Sequence, residues 1–480
     1  MQKVIILFCI MLDFLDRTRE FAQLDRLHAH APGLAVVWGR RRIGKTRLLL
    51  EWCRRHGGLY VVADQSDPEL QRRYVARALA QVLPAFDEVR YPDWERLLSR
   101  AARDARAIGF RGPIVIDELP YLVVPSPELP SVLQRWVDRD AREASLTIAL
   151  AGSSQRMMQG LALDASSPLY GRAQLQLEIG PLWPRHLPGA MGPLAPHELV
   201  EHWTAWGGVP RYWELAAGAE GSASERLVML ALSPGGPLFS EPERLLLEET
   251  PSALEIRPLL DAIGAGAHRV SELAGRLARA ATSLSRPLDR LLGMGLVRRE
   301  TPYGEPLRGG KRSLYKVADP FLRLWFRVVA PNRAALVAGT DRLRAETLRA
   351  HWPYLLGQAW EEMCRESVGR LVEGSGALAR LGPWRPAQRF WHGSSPEWDV
   401  VADSADGARL LVGEAWYRGT PATLDELRGV ARGVLARPLP PNAGDRDVVR
   451  ALFVPSTDGH VVEVDGVVVV TVAEVLAVEE

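Results

Sequence analysis

The sequence predicts an α/β chain that begins with a parallel sheet carrying helices on both faces, and three observations support this. Short apolar runs at 34–38, 59–63, 113–117 and 146–151 alternate with amphipathic helical stretches. That alternation is the rhythm of βα units and so of a parallel sheet. The first run, Leu34-Ala35-Val36-Val37-Trp38, leads directly into the loop GRRRIGKT, Gly39 to Thr46, and then into the helix start Arg47-Leu48-Leu49-Leu50-Glu51-Trp52. Residues 256–327 follow a different rhythm, three helices and then two short strands around a loop. That order makes a winged helix-turn-helix.

Length and composition set the outer bounds. The 480 residues allow about three domains at roughly 150 residues each. A hydrophobic share of 47% and a charged share of 24% suit packed cores and exclude general disorder. The net charge of +1 points to no partner by itself. Cys9, Cys53 and Cys364 are scattered without C-x-x-C spacing and read as ordinary thiols in a reducing compartment. The apolar run Val4 to Met11 is too short to span a bilayer and lacks a small-residue cleavage site after it. It reads as a first strand or, preferably, as an upstream extension with the natural start at Met11; a cytoplasmic protein without a membrane segment is expected either way.

The elements then follow in order. Residues 14–30 have a helical pattern with Phe14, Phe21, Leu24 and Leu27 apolar among charges. The βα region runs to 180, and the Pro/Gly-rich stretch 180–195 marks a linker. Residues 197–250 read as helical throughout. Helices at about 258–264, 271–279 and 283–293 precede the strands LVRRE and SLYKV, which flank TPYGEPLRGGKR. From about 332 the chain is helical again, and it ends as an α/β segment with strands near 397–402, 409–415, 449–454 and 461–471. The expected boundaries are therefore 1–180, 181–255, 256–330 and 331–480.

The loop fits the phosphate-cradling pattern G-x-x-x-x-G-K-[ST] at every fixed position. In such a loop the backbone N–H groups wrap the phosphates and the helix N-terminus adds partial positive charge. Gly39, Arg40, Arg41, Arg42, Ile43, Gly44, Lys45, Thr46 and Arg47 are thus the expected nucleotide-binding residues. Lys45 would reach the β/γ-phosphates, and the Thr46 hydroxyl would hold Mg²⁺. Of the 59 basic residues only Lys3, Lys45, Lys311 and Lys316 are Lys. A chain so biased to Arg still places Lys where a compact ammonium must sit among phosphates.

Two further strands carry chemistry. Pro113-Ile114-Val115-Ile116 leads into Asp117-Glu118 at the carboxyl end of a parallel strand, the edge at which ligands bind. Asp117 would hold Mg²⁺ through water, and Glu118 would orient and deprotonate the attacking water. Leu146 to Ala151 ends in Gly152-Ser153-Ser154, hydroxyls within reach of a γ-phosphate or its water.

Several stretches extend this pattern in a fixed order: LPYLV after Glu118, AGSSQRMM at 151–158, SPLYGR at 167–172 and WGGVPRYW at 206–213. Together they resemble the archaeal-type ATPase family within the STAND group of P-loop NTPases. FLDRTRE at 14–20 is similar to that family's adenine-side helix, EPERLLLEE at 241–249 to its helical lid, and YKVADPFLRLWFR at 315–327 to its winged-helix exit. The resemblance implies an ATP- and Mg²⁺-dependent ATPase. It assigns catalytic roles to Lys45, Glu118, Ser153 as sensor and Arg172 as the group that reads γ-phosphate charge. It also implies that Pro210 packs beside the nucleotide. A surface salt bridge is the plain alternative for Arg172, and a helix-ending turn for Pro210.

The tail resembles a PD-(D/E)xK nuclease-like, restriction-endonuclease-like α/β domain. The resemblance places Glu361 on the first helix, Asp399 on a strand and Glu414 on the next strand as a candidate Mg²⁺-binding nuclease site. Lys is expected two residues after Glu414, but Trp416 stands there, with Arg418 one step further along the same strand face. Residues 399–480 carry a net −7, which disfavours a phosphate backbone, whereas 268–330 carry a net +8. Arg286 and Arg290 lie one turn apart on the expected recognition helix, and Arg308, Lys311 and Arg312 on the wing loop. The leading expectation is an ATP-driven switch with output modules, an unidentified protein partner and a nucleotide-dependent oligomer. A regulator that binds double-stranded DNA and an ATP-regulated nuclease are the alternatives.

Overall fold

The computed structural model describes residues 14–249, 253–306, 312–393 and 395–479. The run Val4–Met11 and the wing residues Arg308 and Lys311 lie outside them. The chain forms two compact units, Asp16–Leu182 with Val209–Arg211, and Trp183–Gly208 with Tyr212–Glu480.

The first unit is built on β1 (Gly33–Trp38), β2 (Leu59–Val62), β3 (Ile114–Asp117), β4 (Thr147–Gly152) and β5 (Leu175–Glu178). These strands pair in parallel in the order β2-β3-β4-β1-β5. β1, β3 and β4 are buried along their whole length, so they read as continuous apolar runs in the sequence. On one face Leu34, Val36, Ile114, Ile116, Ile148 and Leu150 pack against Trp94, Leu97 and Trp136. Each such side chain contributes roughly 1.5–3 kcal/mol on burial. The helices on this face start where a side chain can cap them: Asp67 accepts from the Glu69 and Leu70 amides, and Asp93 from that of Arg96. β5 was not anticipated. Its Leu-Gln-Leu-Glu alternation marks a half-exposed edge strand, which carries a weaker apolar signal.

In the second unit the expected all-helical stretch 197–250 is broken into the helices Pro196–Trp206, Pro210–Ala217, Ala223–Leu227 and Glu241–Glu249. The helices Ala253–Gly264, Val270–Leu277 and Ser285–Gly293 follow, then the antiparallel pair β6 (Val297–Glu300) and β7 (Leu314–Val317). The second of these helices ends two residues before the expected 279, because Ala278 turns left-handed at φ 50°.

A long helix, Asp341–Val368, precedes a mixed sheet of β8 (Gln388–His392), β9 (Ser395–Asp403), β10 (Arg409–Ala415), β11 (Asp447–Val454), β12 (Glu463–Val464) and β13 (Val467–Thr471). Their order is β12-β13-β11-β10-β9-β8. The single strand expected over 461–471 is thus a hairpin. Asp465 and Gly466 both take positive φ, 51° and 80°, which a tight two-residue turn demands. Among the described residues no helix is long and apolar enough to cross a membrane.

Candidate functional site

The loop after β1 has the backbone its glycines permit. Gly39 sits at φ 155°, and a Cβ there would collide with the Ile179 carbonyl oxygen. Gly44 sits at φ 97° and opens the helix Lys45–His56. Its first amides therefore face the loop, with the positive end of the helix dipole behind them. Arg42 also holds a left-handed φ of 66°, a conformation that side chains rarely adopt and that clusters at binding loops. The buried Lys45 side chain folds back over the loop, with Nζ donating to the carbonyls of Gly39 at 2.6 Å and Arg40 at 2.9 Å.

β4 lies between β1 and β3, so the groups at the carboxyl ends of all three strands meet at one sheet edge. Thr46 Oγ1 donates to Asp117 Oδ2 at 2.9 Å. The Glu118 amide donates to Asp117 Oδ1 at 2.9 Å, and the Tyr60 hydroxyl on β2 donates to Oδ2. Asp117 is thus a buried carboxylate held by three neutral donors. Hard oxygen donors of this kind suit Mg²⁺, and the pairing of Thr46 with Asp117 fits the ion that the fold implies. Glu118 turns left-handed at φ 55°, and its Oε2 accepts from Ser153 Oγ at 2.9 Å and from the Ser153 amide at 3.2 Å. Thr46, Asp117, Glu118 and Ser153 are therefore joined by hydrogen bonds, and Lys45 precedes Thr46 at the start of the same helix.

The remaining expected residues fall in different places. The Pro210 ring lies beside Gly44, 3.8 Å from where a Cβ would stand. Arg41 donates to the Tyr121 hydroxyl at 2.7 Å. Arg172 Nε bonds both Asp138 oxygens at 2.9 Å, and its Nη1 bonds the Pro168 carbonyl at 3.0 Å. Two residues in this region were missed. Buried Arg17, in the FLDRTRE stretch, donates through Nη2 to the carbonyls of Ile43 at 2.9 Å and Gly180 at 2.8 Å, tying the phosphate loop to the end of the sheet. Tyr60 had no local signal at all.

In the second unit, Asp399 on β9 and Glu414 on β10 stand on neighbouring strands, and Glu361 faces them from the long helix. Burial and the Asp399 carboxylate push the Glu361 carboxyl above its ordinary range, and burial and Glu414 do the same to Asp399. Arginines crowd this cluster. Arg437 donates to Glu414 Oε2 at 2.5 Å and to the Glu397 carbonyl at 2.8 Å, with its guanidinium over the Trp398 ring. Arg365 lies 3.6 Å from Glu361 and donates to the Asp399 carbonyl at 2.9 Å. Arg418 pairs with Glu426 and lies over the Trp416 ring. Among the described residues no three His, Cys, Asp or Glu side chains gather in a metal-holding arrangement. With a guanidinium already on Glu414, these residues do not fit a divalent ion.

The basic residues of β6, β7 and the helix after them are largely spent internally. Glu362 pairs with Arg298, and with Arg323 at 2.5 Å. Glu300 pairs with Lys316 at 2.8 Å and with Arg298 at 3.0 Å. Arg298 also reaches Glu366 at 3.3 Å. Arg312 pairs with Glu305 at 3.0 Å. Arg276, Arg279 and Arg286 are exposed, and Arg290 is half-buried.

Comparison with known proteins agrees with the sheet and the loop. Residues 14–215 match a family described as an ATPase domain predominantly from Archaea. Residues 325–426 match one described as archaeal and bacterial proteins of unknown function. An uncharacterised protein of Methanocaldococcus jannaschii is 27% identical over 408 residues, covering 84% of this chain and 87% of that one. A solved Walker-type ATPase of Pyrococcus abyssi aligns with a TM-score of 0.51 at 20% identity, over 66% of this chain and 97% of its own. That likeness supports the fold.

Proposed function

We propose that this chain, whose residues 14–215 match a family described as an ATPase domain predominantly from Archaea, is an ATP-driven switch that couples nucleotide state to the modules after it. The observation that carries the reading is the hydrogen-bonded set Thr46, Asp117, Glu118 and Ser153 at one sheet edge, beside the phosphate-binding pattern that ends in Lys45 and Thr46. Mg²⁺ bound there would screen the phosphate charge. The loop amides and Lys45 bind the phosphates, with Lys45 leaving the Gly39 and Arg40 carbonyls to do so. Thr46 and Asp117 supply the oxygens that hold the ion, and Glu118, oriented by Ser153, takes the proton of the attacking water. Pro210 beside Gly44 supports the coupling, because the three residues Val209–Arg211 belong to the ATPase unit while both flanks belong to the other. A change at Gly44 thus has a covalent route onward.

On this reading 256–330 is a winged helix and 331–480 is a nuclease-derived domain that docks a partner rather than cutting. The Arg437–Glu414 pair and Trp416 support the latter. Lys45→Ala should abolish binding of a fluorescent ATP analogue. Hydrogen exchange of the parent with ATP and with ADP should differ in residues 212–330; identical exchange in both states would refute the switch. A second reading, contact with double-stranded DNA, is favoured by exposed Arg279 and Arg286. It predicts an affinity that falls steeply with salt and is lost on reversing those two charges.

A further inference from the structure

Among the described residues Tyr60 is the one aromatic hydroxyl that meets the acids of the nucleotide site, and neither the sequence pattern nor the phosphate-loop chemistry calls for it. It lies on β2 opposite Val115 of β3, and Val62 lies opposite Asp117. Leu59 and Val61 face the apolar core, which sends Tyr60 to the other face, the one Asp117 occupies. The ring must therefore run along its strand by two residues, roughly 6.6 Å, to bring its hydroxyl to Asp117. It arrives on Oδ2, the same oxygen that accepts from Thr46 Oγ1 at 2.9 Å. Oδ1 is taken by the Glu118 amide at 2.9 Å.

We infer that Tyr60 is a positioning residue for Asp117: its hydroxyl holds the carboxylate in the orientation that receives Mg²⁺, and keeps holding it when Thr46 turns its own hydroxyl to the ion. The inference rests on the nucleotide-site reading above. Two donors share Oδ2, and only one of them is itself an expected metal ligand. When Thr46 is recruited, a carboxylate without Tyr60 would keep only the Glu118 amide and would be free to rotate. Partners that orient metal-binding carboxylates typically matter by about 10–100-fold in metal affinity.

Tyr60→Phe removes the hydroxyl and keeps the ring. Binding of N-methylanthraniloyl-ATP to the full chain is measured in EDTA and across a Mg²⁺ titration, with circular dichroism as the check of folding. The expected result is unchanged affinity in EDTA and a shift of about tenfold or more in the Mg²⁺ concentration that gives half of the Mg²⁺-dependent gain. Superimposable Mg²⁺ titrations would overturn the inference. So would a loss that is equal with and without Mg²⁺, since that marks a merely structural role. A parent that binds no nucleotide in Mg²⁺ would refute the nucleotide-site reading itself, whereas a parent that binds normally beside an unaltered Tyr60→Phe would refute only the role of Tyr60.

Discussion

Replacing Glu118 by Gln should stop turnover while leaving ATP bound. Glu118 Oε2 accepts two hydrogen bonds from Ser153, at 2.9 Å from the hydroxyl and 3.2 Å from the amide. The amide oxygen of Gln can accept both, and a side chain of the same length places no new demand on the left-handed backbone at φ 55°. The substitution therefore removes little but basicity. General-base catalysis is typically worth about 10²–10⁴ in rate, which at about 1.36 kcal/mol per factor of ten raises the barrier by about 2.7–5.4 kcal/mol. Phosphate release should accordingly fall by about 100-fold or more, while the affinity for an ATP analogue stays within about threefold, the scale of one altered neutral hydrogen bond. A Glu118→Gln protein that hydrolyses ATP at the parent rate would sink the assignment. Ser153→Ala separates orientation from basicity: the Ser153 amide bond to Oε2 survives, so a smaller loss is expected, about 2–10-fold.

Other consequences can be checked independently. Glu362→Gln leaves the buried Arg323 and the half-buried Arg298 without their shared carboxylate, and urea unfolding should show the second unit destabilised by about 3 kcal/mol. His202 accepts from Trp206 Nε1 at 3.2 Å, and burial, aided by the Arg226 charge, holds its pKa down to about 4. The unfolded chain therefore gains a proton that the folded chain refuses as pH falls below about 6.5. Stability present above that pH should be lost between about 6.5 and 4, by on the order of 3 kcal/mol, and His202→Gln should flatten that part of the profile.

What the sequence shows of this molecule follows the range of the interactions. β1, β3 and β4 are legible because strands buried on both faces leave an unbroken apolar run. The loop, the two acids and Ser153 are legible because each sits at the end of such a run. β5 is not, since Leu175-Gln176-Leu177-Glu178 alternates as an edge strand does. Arg17 binds the Gly180 carbonyl across 163 positions and Tyr60 binds Asp117 across 57. No local pattern records such pairings. Arg172, a charge sensor by resemblance, bonds Asp138 of the π-helical turn Val137–Ala141, a pairing that no local pattern records.

The same reasoning shows where the charges counted in the second unit are placed. The net +8 of 268–330 suggests a nucleic-acid surface, but Arg298, Lys316 and Arg323 are turned inward onto Glu300 and Glu362. Buried arginines and lysines are tolerable only with such partners, so these charges fix β6 and β7 in place and are not offered to a phosphate. The acidic cluster of the tail shows the converse. Asp399 feels the charge of Glu414, and Glu361 that of Asp399, and this repulsion calls for a counter-charge. Arg437, which follows the helix Leu424–Ala436 and is stacked on Trp398, supplies it at Glu414. A guanidinium stays charged across the accessible pH range. The charge of Glu414 is thereby balanced within the second unit, by Arg437.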